Sequence, residues 1–131
     1  MNTNEKERIT RKKTSVTALN LSYLYELSGG DHDFVAEIIE MFLQDAPDLI
    51  NQSNEHIQKE DYHQLRVTVH KLKSSVKVLG GDRLALLIQE IENNARKCMA
   101  LETIPTLLQN LEDGIVDMMN QLSVELKMIK E

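Results

Sequence analysis

Apolar residues in this chain recur at helical spacing, and twice the pattern is broken by a glycine pair followed by an aspartate. The sharper case is the segment ending at Gly80-Gly81. At about 100° per residue, Leu65, Val69, Leu72, Val76 and Leu79 form one apolar stripe, so the segment must bury a single face as an amphipathic helix. Glycine pairs can take the left-handed backbone of a helix C-terminus, and the aspartates that follow are natural N-caps. The rest of the chain reads the same way. Leu19, Leu21, Leu24 and Leu27 predict a short first helix, stopped by Gly29-Gly30. Asp31 then caps a second helix with the stripe Phe34, Val35, Ile38, Ile39 and Phe42, which Pro47 is expected to interrupt or kink near residues 44–46. A third helix begins near Asp61. Asp82 is expected to cap a fourth, with the stripe Leu84, Leu87, Ile88, Ile91, Ala95 and Cys98. The last starts around Thr103, with Pro105 in its first turn and Ile104, Leu108, Leu111, Ile115, Met118, Leu122 and Ile129 along its face. No alternating run reads as a strand. The fold class is therefore all-α, an antiparallel four-helix bundle with a short extra N-terminal helix packed across one end.

At 131 residues the chain holds one core, and Leu, Ile, Val and Met must fill it because aromatics are few and tryptophan is absent. Residues 1–18 are expected to form a disordered basic tail and residues 19–131 the bundle. A single cysteine, Cys98, excludes an internal disulfide and a thiolate metal centre, and points to a reducing compartment. Apolar runs are too short to span a bilayer, and the polar N-terminus lacks the apolar segment of a signal peptide. Cytoplasmic localisation and no membrane partner follow as expectations. The net charge of −6 argues against nucleic acid as a partner for the folded part. The initiating methionine and basic tail lean towards a free-standing protein rather than a domain excised from a longer one.

Within that apolar pattern His70 is out of place, pointing roughly 140° away from the centre of its helix's stripe. Its own arc carries His63, Arg66, Lys73, Ser74 and Lys77. Composition alone would put about three acidic residues in residues 62–81, yet there are none, against Arg66, Lys71, Lys73 and Lys77. An imidazole among cations and a small hydroxyl residue suits an exposed nucleophile that carries an anion. His63 and His70, seven residues apart with no carboxylate or cysteine on their arc, are a poor metal pair, and no metal site is expected. Val67 and Val78 flank the histidine's arc, either as docking surface or as packing under a neighbouring helix.

The run His70-Lys71-Leu72-Lys73-Ser74-Ser75, followed by Leu79-Gly80, resembles the signature of histidine-containing phosphotransfer (HPt) domains, His-x-Leu-Lys-[Gly/Ser]-Ser and then Leu-Gly. The similarity extends forward through Leu84, Glu92 and Arg96, and backward through the FVAEIIEMFLQDAP segment from Phe34 to Pro47. It covers roughly residues 19–130. Many members carry glycine where this chain has Ser74; serine is a conservative alternative whose hydroxyl could donate to a phosphate oxygen.

The resemblance implies a phosphoryl carrier working between receiver-domain aspartates through a phosphohistidine on His70. Lys73 and Ser74 are then the phosphate-stabilising residues, Arg66, Val67, Lys77 and Val78 the docking surface for the partner, and Glu92 the residue that orients the imidazole. The partners implied are receiver domains of response regulators or hybrid histidine kinases. No cofactor of its own is expected, with magnesium supplied by the receiver, and the protein is expected to be a monomer. A kinase dimerisation domain would follow its histidine with an acidic residue and then a proline; here Lys71 follows, the next proline after the histidine is Pro105, and no glycine-rich nucleotide loop exists. Autophosphorylation with ATP is not expected. The remaining alternative is a helical adaptor that binds a partner through the 66–78 face without chemistry.

Overall fold

In the computed structural model, residues 19–131 are described, and they form five α-helices with no strand among them. These are α1 (Ser22–Leu27), α2 (His32–Gln58), α3 (Tyr62–Val78), α4 (Asp82–Lys97) and α5 (Ile104–Lys130), with one 3₁₀ turn at Leu101–Thr103. The basic tail expected at residues 1–18 lies outside the described residues.

The connections after α2 and α3 are too short to return along the bundle, so successive helices run antiparallel. Helices α2 to α5 close into a ring in which α2 packs on α3, α3 on α4, α4 on α5 and α5 back on α2. Every residue of the α3 stripe, Leu65, Val69, Leu72, Val76 and Leu79, is buried inside it. From α5 the core receives Ile104, Leu108, Leu111, Ile115, Met118 and Leu122. Gly114 lets α4 approach α5 closely: a Cβ there would collide with the side chain of buried Leu84.

Helix α1 closes the end of the ring where α3 and α5 finish and α2 and α4 begin. Three contacts place it there. The Tyr25 hydroxyl donates to Glu125 Oε2 at 2.6 Å, the Tyr25 ring stands edge-on to His32, and the Asn20 backbone lies against Gly80. Gly80 has φ +81°, and the space a Cβ would need is filled by Asn20, so no other residue suits this turn.

The cap expected at Asp31 forms, accepting from the backbone N–H of Asp33 and Phe34, and Asp61, where the third helix is expected to begin, caps α3 by accepting from that of Gln64. Three local expectations are corrected. Pro47 does not interrupt α2, which is helical from His32 to Gln58. The lost hydrogen bond and the ring clash cost about 3 kcal/mol; burial of Val35, Ile39, Phe42, Ala46 and Ile50 against α3 and α5 offsets that locally. Asp82 is the first residue of α4 rather than its cap. Gly81, buried against Val76 and Met118, holds the cap position instead, and Asp82 places its charge in the first turn, where the helix dipole favours it. Cys98 leaves the apolar stripe of α4. It follows the last helical residue with φ 52°, and that left-handed turn swings its side chain to the surface.

Candidate functional site

Helix α3 is held by its apolar stripe between α2 and α4, which leaves the opposite arc in solvent. His70 lies there with its side chain 62% exposed. Across from it, α4 does something unusual for a helix whose inner face is otherwise Leu84, Ala85, Ile88, Ile91 and Ala95: it buries a carboxylate, Glu92. A buried charge must find partners. Glu92 Oε2 lies 2.6 Å from His70 Nδ1, and Oε1 accepts from Lys73 Nζ at 2.6 Å. Lys73, whose side chain is 15% exposed, also donates to Gln89 Oε1 at 2.8 Å. The Gln89 amide in turn donates to Asn93 Oδ1.

Burial by itself would raise the Glu92 carboxyl, but the hydrogen bond from Lys73, then that from His70, and the charges of both outweigh it and hold the group below its ordinary value of 4.5. At neutral pH Glu92 is therefore a carboxylate, which can only accept. That assigns the proton of the imidazole to Nδ1 and leaves Nε2 as the nitrogen with a free lone pair in the neutral ring.

The other residues singled out from the sequence fall on two sides of this trio. Arg66 is half-buried and Val67 39% exposed; with His63, His70, Lys71 and Glu92 they line an open cavity of about 480 Å³. On the other side Ser74, exposed, borders a mainly apolar groove between α2 and α3 formed by Ile38, Met41, Phe42 and Val78. Val78 is partly buried and packs against the core, whereas Val67 presents free apolar surface. Lys77 is exposed on the same helix. Lys73 is already engaged by Glu92 and Gln89 and is not a free cation beside the histidine. Sequence reasoning missed Gln89 and Asn93. The signal was present in Gln89, Glu92, Asn93 and Arg96, which recur at spacings of three and four on α4, but nothing in the sequence says which helix that face meets.

Among the described residues no cluster of three or more His, Cys, Asp or Glu could hold a metal ion, and no helix is long and apolar enough to cross a membrane. The sequence model of the Hpt domain matches residues 37–125, from the first third of α2 to near the end of α5 and across the whole histidine site. The chain belongs to the Hpt domain family. No curated protein matches it. Membership places this Hpt domain in two-component phosphotransfer, among phosphocarriers rather than kinases, with receiver domains as the partner class. Its helical bundle is the family's architecture.

Proposed function

We propose that this Hpt domain relays phosphoryl groups between receiver-domain aspartates through a phosphohistidine on His70. The observation that carries the reading is the pairing of an exposed imidazole with a buried carboxylate, in which Nδ1 is occupied and Nε2 is not. In the accepting step Nε2 attacks the phosphorus of a receiver phosphoaspartate. The N–P bond forms, the acyl O–P bond breaks, the aspartate leaves as a carboxylate, and Nδ1 keeps its proton. The ring then bears positive charge, which Glu92 at 2.6 Å offsets. In the donating step an aspartate of another receiver attacks the phosphorus, the N–P bond breaks, and neutral His70 is restored.

Alignment and charge are what such a transfer asks of a protein. Glu92 orients the ring, and Lys73 and Gln89 anchor Glu92. Lys73 acts on the histidine through Glu92, Ser74 presents only a small hydroxyl side chain one turn beyond it, and magnesium comes with the receiver. Arg66, Val67 and Lys77 form the surface a receiver meets around the histidine, and Val78 extends it along the groove beside Ser74. The domain itself acts as a carrier, with no ATP chemistry. The test is incubation with a phosphorylated receiver, followed by a search for acid-labile, base-stable phosphate on His70. Label should appear on the parent, should be absent from His70→Gln, and should reside on Nε2 by ³¹P–¹⁵N coupling. Label retained in His70→Gln overturns the reading.

A further inference from the structure

Two cations stand one turn from His70 along α3, Arg66 before it and Lys73 after it. On an isolated helix they would be near-equivalent neighbours. The bundle makes them different. Lys73 Nζ is held between Glu92 and Gln89, so moving it to a new anion would strip the buried carboxylate of the partner that does most to keep it ionised. The Arg66 side chain makes no hydrogen bond or ion pair among the described residues. It already lines a cavity with His70, and His63 and Lys71 add further N–H donors to the same walls. The one acidic residue lining it, Glu92, is compensated by Lys73 and His70. A phosphoryl group carries about two negative charges and three acceptor oxygens, and a guanidinium offers a planar fork of donors that matches them.

We propose that the phosphoryl group carried by His70 is held in the cavity on the N-terminal side of the histidine, with Arg66 as its counter-charge and Lys73 acting only through Glu92. The proposal rests on His70 being the phosphoacceptor. Arg66 thereby sets the lifetime of the phosphohistidine. As the N–P bond breaks, negative charge leaves the phosphoryl oxygens for the ring, so a cation bound to those oxygens favours the intact bond.

Phosphoramidate separates this from any question of receiver docking: its phosphoryl group passes to Nε2, the N–P bond of the donor breaks and ammonia leaves. The full chain is phosphorylated with it, the donor is removed, and first-order loss of phosphohistidine is followed by ³¹P NMR in the parent, Arg66→Ala, Arg66→Lys and Lys73→Gln. Thermal melting checks that each variant is folded. Arg66→Ala should lose its phosphoryl group about fivefold faster than the parent, the scale of one charge-assisted contact at a half-exposed site. Arg66→Lys should restore part of the difference, and the Arg66 Nε–H resonance should shift on phosphorylation. Decay of Arg66→Ala at the parent's rate overturns the proposal, as does an effect confined to Lys73→Gln. A parent that takes no phosphoryl group at His70 overturns the phosphoacceptor reading itself, which is a different outcome.

Discussion

His70 Nδ1 stands 2.6 Å from Glu92 Oε2, a contact that joins an exposed side chain of α3 to a buried one of α4. It makes the choice of tautomer a property of the bundle. Glu92→Ala should therefore release the ring, and ¹⁵N spectra should show the Nε2–H form, the commoner one in free histidine, where the parent shows Nδ1–H. Phosphoryl acceptance should fall because Nε2 is then protonated in most neutral rings. The variant should also lose about 2 kcal/mol in a denaturant melt, since Lys73 keeps only Gln89. An unchanged tautomer would separate ring orientation from Glu92.

His70→Gln should behave differently. The side chain is mostly exposed and opens no cavity, and Glu92 retains Lys73, so the melting temperature should stay within a few degrees of the parent's while phosphoryl acceptance disappears. Circular dichroism melts and a transfer assay on the same preparation check both halves.

Glu92 also predicts an acid limb of stability. Its folded value lies below the ordinary 4.5, so the ionised group contributes stability that is fully present above 4.5 and is lost as pH falls through the folded value. The stability difference between the parent and Glu92→Gln should be constant from neutrality down to about pH 5 and shrink below that. Melts of both proteins across this range, at fixed ionic strength, give the measurement; a difference that persists undiminished in acid would show that the carboxylate charge is not what matters.

At alkaline pH the corresponding residue is Tyr25. Burial, followed by the hydrogen bond to Glu125 and its charge, pushes this phenol from 10.0 up to about 12. Here the folded value is raised, so the contribution is complete below 10.0 and is lost as pH climbs towards 12. Absorbance titration should show one of the three tyrosines ionising late, and Tyr25→Phe should remove that step.

Two glycines separate helix propensity from packing. Gly114→Ala gains up to about 1 kcal/mol of propensity inside α5. It nevertheless drives a methyl into buried Leu84, and overpacking of this kind costs about 1 to 3 kcal/mol, so a net loss in Tm is expected. Gly80→Ala should lose more, because it combines a positive φ with collision against the Asn20 backbone, which has no rotamer to yield. A Gly114→Ala protein more stable than the parent would show that Leu84 can repack freely.

The periodicity of apolar residues determined the number and order of the helices and most of their inner faces, Leu27 and Phe34 staying exposed, because a stripe such as Leu65, Val69, Leu72, Val76 and Leu79 can be buried in only one way. It also put His70 and its cations on the outer arc, since angle around a helix is a matter of counting. What counting could not supply is which residues of different helices meet. Glu92 entered through family resemblance alone; its grip on His70 and Lys73 exists because α3 and α4 pack side by side with those turns level. The same packing distinguishes two cations that the sequence presents as alike, drawing Lys73 into the buried carboxylate and leaving Arg66 free in the cavity beside the histidine. Pro47, Asp82 and Cys98 departed from local expectation for a related reason. A proline's lost hydrogen bond, a cap shifted by one residue and a left-handed turn are each settled by the surfaces that the neighbouring helices offer, and those surfaces exist only once the bundle has closed.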